Sequence, residues 1–212
     1  MLITNHVLSG ALIGAAAESP AAALPLGVAS HFALDALPHW GKWLSKSHFL
    51  RVAVADGLTG LAVMGAAAAV TPPARRAAVI AGMVGAAVPD IDKPTRIFFG
   101  FSPFPRRVDE FHSRIQDEAP GRFYSHELVA GAVFAGGFAA LTVAARLRAR
   151  KRAMDAAAGA AAGEGAPAET GAPLETAAPT ETSSRTGARI RTGLSARARE
   201  AASLLAPVRQ RL

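Results

Sequence analysis

The chain has 212 residues, half of them hydrophobic and 18% charged, with no cysteine and a formal net charge of +7. That length suits one domain with extensions, and the missing thiols exclude disulfides and thiolate metal sites. Residues 1–145 hold eleven Lys and Arg against ten Asp and Glu, whereas residues 146–212 hold twelve against six, so the basicity belongs to the tail. It suits anionic lipid headgroups as well as nucleic acid, and a nucleic-acid-binding body is not expected.

Five apolar stretches follow one another. The first covers about residues 2–17 and turns at Glu18-Ser19-Pro20; the second covers 21–37 and stops at Pro38. The third, 48–70, carries one acid inside it, Asp56, and ends at Thr71-Pro72-Pro73. The fourth covers 74–88 and closes at Pro89-Asp90, and the fifth begins near Ser125 and carries no charge from Leu128 until Arg146. Crossing a bilayer takes about 20 apolar residues; the third and fifth stretches meet that, and the others are marginal. Glycines inside the stretches suit close packing of membrane helices, since in a soluble helix each costs about 1 kcal/mol. The alternative is a soluble, alanine-rich bundle.

Between Lys93 and Arg122 lies a polar connection in which Val108, Phe111 and Ile115 recur at helical spacing, the pattern of a short amphipathic helix. Residues 153–187 are low-complexity Ala, Gly, Pro, Thr and Glu, a composition expected to stay disordered. Apolar residues from Ile190 to Leu212 fall near one helical face beside arginines. The expectation is therefore an all-α, four- or five-helix integral membrane bundle over residues 1–146. A basic tail follows over 147–212. Gly193 and Pro207 interrupt its pattern, so a loosely structured tail is expected, with a short amphipathic helix at 190–212 touching anionic lipid as the alternative.

No Lys or Arg precedes the first apolar run, so no secretory signal is evident. Arg75-Arg76 and the run Arg146, Arg148, Arg150, Lys151, Arg152 mark two helix boundaries, which the positive-inside rule makes cytoplasmic. With that orientation, all six histidines fall at the opposite end, together with Asp35, Asp90 and Asp92. His31 and Asp35 stand one helical turn apart on one face. Pro89-Asp90-Ile91-Asp92 sets two carboxylates where a helix ends. Imidazole with carboxylate and no thiolate suits zinc, manganese or iron, and a metal so held can activate water. Asp56, costly at about 2.5–3.5 kcal/mol inside an apolar helix, invites a paired or functional role, with general base as one choice. Each residue also has a plainer reading. His31 and Asp35 can hydrogen-bond to hold helices together, Asp90 can serve a turn, and His6 and His126 can belong to helix starts.

Thr4-Asn5-His6 with Gly10 and Gly14, then Ser30-His31-Phe32-Ala33-Leu34-Asp35-Ala36-Leu37-Pro38-His39-Trp40, resembles a bacterial family of small membrane proteins. Pro89-Asp90-Ile91-Asp92 and Phe111-His112-Ser113-Arg114-Ile115-Gln116 are similar to it as well. The family is that of inner-membrane metal-dependent hydrolases, with a remoter likeness to the helical zinc-dependent phospholipase C and nuclease fold. The resemblance covers residues 1–145. It implies a divalent metal held among His6, His31, Asp35, His39, Asp90, Asp92, His112 and His126, and hydrolysis of a phosphoester or lipid-like substrate at the non-cytoplasmic face of the inner membrane. A non-enzymatic membrane scaffold and a metal-binding membrane protein are the competing expectations.

Overall fold

The computed structural model describes residues 1–41 and 45–164; the expected amphipathic segment at 190–212 lies outside them. The described residues are all-α apart from one short bridge. Helices α1 (Ile3–Ala17) and α2 (Pro20–Asp35) are joined by a tight turn, and α3 (Lys46–Val70) and α4 (Pro73–Ala87) by Thr71-Pro72. A 3₁₀ turn (Val88–Ile91) leads directly into α5 (Asp92–Phe99), followed by α6 (Arg106–Ile115). A π turn (Phe123–Glu127) opens α7 (Leu128–Glu164). Strands β1 (His39–Trp40) and β2 (Glu118–Ala119) pair in parallel and tie the segment after α2 to the segment after α6.

Helix α1 is the hub, touching α2, α3, α4 and α7. Its own sequence supplies no side-chain cap for its first amides. Distant acids do so. Asp56 of α3 accepts from the Ile3 and Thr4 amides at 2.6 and 3.2 Å and from the Thr4 hydroxyl at 2.6 Å. Glu127 accepts from the Leu2 amide at 3.2 Å and from the Asn5 side chain at 2.7 Å, and its other oxygen takes the Trp40 amide. Satisfying these orphan donors explains why an apolar helix carries a carboxylate.

The core is made of small residues. Val7, Ala11, Ala15, Ala67, Val79, Met83 and Phe138 form it, and α1 and α2 approach α4 backbone to backbone. A Cβ built on Gly82 would run into the Gly10 carbonyl, and one on Gly85 into the Leu24 carbonyl. Only glycine permits that approach.

Two corrections to the sequence reading concern extent. Among the described residues only α3 and α7 are long and apolar enough to cross a membrane. Helices α1, α2 and α4 have 15, 16 and 15 residues, about 22–24 Å at 1.5 Å per residue against a hydrocarbon thickness of about 30 Å. Helix α7 also runs on to Glu164, into the stretch expected to be disordered, because alanine has the highest helix propensity. Helix α5 was missed: it has eight residues, with Pro94 in its first turn, where a missing N–H costs nothing.

These two helices differ from core helices. Only 11% and 17% of their most apolar windows are buried, and Val54, Leu58, Leu61, Val129, Val133 and Val143 are each more than half exposed. The two ends of the molecule also differ chemically. Arg75 reaches the Ala15 carbonyl at the C-terminal end of α1 and Arg146 the Val70 carbonyl, whereas the buried histidines gather at the N-terminal end of α1.

Candidate metal centre

Three elements deliver four ligand groups to a point beside the start of α1. The last turns of α2 present His31 and Asp35, the 3₁₀ turn after α4 presents Asp90, and α6 presents His112. One ligand atom from each lies within 4.8 Å of every other. The β1–β2 bridge assists the convergence, with the His39 amide donating to the Asp117 carbonyl at 3.0 Å.

The separations test whether a cation fits. His31 Nε2 lies 3.1 Å from His112 Nε2 and 3.2 Å from Asp35 Oδ2. His112 Nε2 lies 2.8 Å from Asp35 Oδ2, and Asp90 Oδ1 is 3.5 and 3.6 Å from the two imidazoles. A tetrahedral site with bonds of about 2.0–2.2 Å has edges of roughly 3.3–3.6 Å. The two edges from Asp90 fall in that range, and the three among His31, His112 and Asp35, at 2.8–3.2 Å, are shorter, so a cation would spread those groups by a few tenths of an ångström. His31, His112 and Asp35 are buried and the Asp90 side chain is only 11% exposed.

Protonation follows from the partners. Burial opposes the His31 charge, but the Asp35 and Asp90 carboxylates outweigh it and raise its pKa to about 9, so Nε2 holds a proton that a cation would displace. Nδ1, 2.7 Å from the Ala86 carbonyl, which can only accept, carries the other hydrogen. This is the usual support of a metal-binding histidine. Burial pushes the Asp90 carboxyl up, but the Lys93 ammonium 2.7 Å away and His31 outweigh it and hold the carboxyl well below the usual range. Burial disfavours the Lys93 charge, yet Asp90 more than compensates and raises its pKa. Asp90 is therefore an anion at neutral pH.

A second layer surrounds Asp35. His6 Nε2 reaches Asp35 Oδ1 at 3.1 Å while its ring stacks on His31 with centroids 4.0 Å apart. The Gln116 amide donates to Asp35 Oδ2 at 2.9 Å, and its oxygen lies 3.3 Å from His39 Nε2. Of the eight ligands expected from the sequence, four meet in the quartet, His6 touches it through Asp35, and His39 reaches it only by way of Gln116. Asp92 pairs with Arg96 at 3.5 Å, and His126 bonds the Ser125 hydroxyl at 2.8 Å; neither joins the quartet. Asp56 lies apart, with both oxygens on the amides of α1. Gln116 and Glu127 were not singled out from the sequence. Glu127 had a readable signal, an acid opening a long apolar helix; Gln116 had none beyond lying four residues after His112.

His112 and Gln116 line a polar cleft of about 1120 Å³, together with Asp92, Lys93, Arg96 and Arg114. The quartet therefore has a wall that faces accessible space. No family model, curated protein or solved structure matches the chain.

Proposed function

We propose that the chain is a membrane-bound, metal-dependent hydrolase of phosphoesters. The observation that carries the reading is the buried His31/Asp35/Asp90/His112 quartet. An ion that takes more than four ligands, as manganese and iron do, would keep positions open beside the four protein groups. There it would polarise a phosphoryl oxygen and acidify water; zinc would have to expand to five-coordinate. His31, His112, Asp35 and Asp90 hold the ion, and His6 and Gln116 fix the Asp35 carboxylate. Lys93 keeps Asp90 ionised, and Arg114, which has no ion-pair partner among the described residues, offers a charge to an anionic substrate in the cleft. Asp56 carries no proton in this scheme. The exposed apolar faces of α3 and α7 support residence in a bacterial inner membrane. The arginines at the far end support an orientation with that end, and the C-terminus, in the cytoplasm.

The test is elemental mass spectrometry on detergent-purified protein, comparing wild type with His31→Ala/Asp35→Ala. Near-stoichiometric metal that disappears in the double variant, with turnover of p-nitrophenyl phosphate that tracks the metal, is the expected result. A folded wild type that takes up none of the three metals on reconstitution overturns the reading.

One observation favours a second reading. The His112–Asp35 distance of 2.8 Å is also that of a charge-assisted hydrogen bond, so the same residues can close as a proton-bearing network that fastens α2 to α6. In that scaffold the double variant loses stability and there is no metal to lose.

A further inference from the structure

Two cavities meet at the start of α1 and share Leu2 and Trp40 as lining residues. One is the polar cleft beside the quartet. The other, about 740 Å³, is lined by Leu8 of α1, Val52 and Ala55 of α3, and Leu128 and Ala132 of α7, a size within the roughly 300–1,000 Å³ typical of ligand sites. Its two acids, Asp56 and Glu127, have turned their oxygens to the amides of α1 and of Trp40 and present no free charge. Its cation, Arg51, has no hydrogen-bond or ion-pair partner among the described residues. The groove lies between the two helices whose outer faces are apolar and exposed, so it is continuous with the surface that would face lipid.

An apolar slot that leads from such a surface to a polar cleft with an unpaired arginine at each site is matched by an amphiphile with one chain and an anionic head. We infer that the groove holds the acyl chain of a single-chain lipid phosphate whose head lies in the cleft, against His112 and Arg114. The assignment of the head rests on the hydrolase reading above; that of the chain rests on the groove alone. Trp40 and Leu2 sit where chain meets head. Entry is sideways, between α3 and α7. Hydrolysis of such a substrate would break a phosphoester bond with water as the only co-reactant, leaving inorganic phosphate in the cleft and a neutral glyceride in the groove.

The experiment is binding of lysophosphatidates with 6, 10 and 14 carbons to the full chain in detergent, read by native mass spectrometry, with bound metal measured on the same samples. Wild type is expected to prefer the 14-carbon over the 6-carbon lipid by at least about tenfold, since each buried methylene adds to the transfer free energy. Ala55→Trp and Ala132→Trp fill the groove from opposite walls and should abolish the preference while metal content stays. Arg114→Gln leaves the groove intact and removes the charge that meets the head, and should weaken all three lipids together. Equal binding of long and short chains by wild type overturns the inference, as does a preference that survives both tryptophans in folded protein. Chain-selective, groove-sensitive binding by a protein that takes up no metal sinks the hydrolase and leaves the groove. A metal-loaded enzyme that turns over p-nitrophenyl phosphate without chain selectivity does the reverse.

Discussion

At the scale of single residues, the site is built from groups whose second contacts matter as much as the first. Gln116 donates to Asp35 and meets His39, so it bears on the quartet through the Asp35 carboxylate. Replacing it with leucine removes a bond to a buried carboxylate while keeping volume, and outer contacts of this kind typically carry 10–100-fold in metal affinity. Gln116→Leu is therefore expected to bind metal about tenfold more weakly in a competitive chelator titration, with the helical content of wild type. Affinity unchanged within twofold would remove Gln116 from the site. The same titration should depend on pH. Metal displaces the proton of His31 Nε2, whose pKa burial lowers but the Asp35 and Asp90 carboxylates raise to about 9, so affinity rises with pH, by at least about tenfold from pH 6 to pH 8. Asp90 does not contribute to that change. Its pKa is depressed, so its charge is present above the ordinary carboxylate range and is lost only as pH falls below it. Much of this chemistry could be read from the sequence. His31 and Asp35 share a helical face by spacing alone, and Asp90 follows a proline that ends a helix. What spacing could not show is that His112, 81 residues beyond His31, would place its Nε2 within 3.1 Å of it, because that depends on the path of α5 and α6.

At the scale of elements, α1 is held at its start and in its middle by different physics. Its N-terminus lacks a cap of its own and borrows Asp56 and Glu127; its middle packs on α4 through Gly10 and Gly82. The sequence showed Asp56 as an anomaly inside an apolar helix, and two explanations were open, proton transfer or pairing. The geometry supplies the pairing, since both oxygens accept from the first turn of α1. Asp56→Ala should then cost about 1–3 kcal/mol, the loss of a cap together with stranded buried donors, seen as a lower unfolding midpoint with metal retained. A variant of wild-type stability that has lost turnover would instead return Asp56 to the catalytic role. Gly82→Val probes the other contact. A side chain there meets the Gly10 carbonyl rather than a movable group, so the helices must separate, and overpacking of this kind costs about 1–3 kcal/mol or more. The glycines were visible in the sequence as small residues suited to close packing; which pairs face one another was not, because α1 and α4 are brought together by the turns between them and not by sequence proximity.

At the scale of the whole molecule, the exposed apolar belts decide which medium the chain occupies. Leu58 lies near the middle of α3 and is 64% exposed. In water, an exposed leucine changed to arginine shifts stability by about 0.5 kcal/mol or less. In a bilayer, the same change places a charge at mid-helix, at a cost of about 2.5–3.5 kcal/mol on insertion scales. Leu58→Arg is thus expected to deplete the membrane-integrated fraction after alkaline washing several-fold. Met154→Arg, equally exposed but beyond the arginine run that starts at Arg146, should leave that fraction as in wild type. The comparison separates charge in lipid from charge added anywhere. If both variants behave alike and the protein stays dispersed without detergent, the belts of α3 and α7 are covered by protein and not by lipid. The groove between them then opens onto a partner's surface, and the lateral route for a lipid chain closes with it.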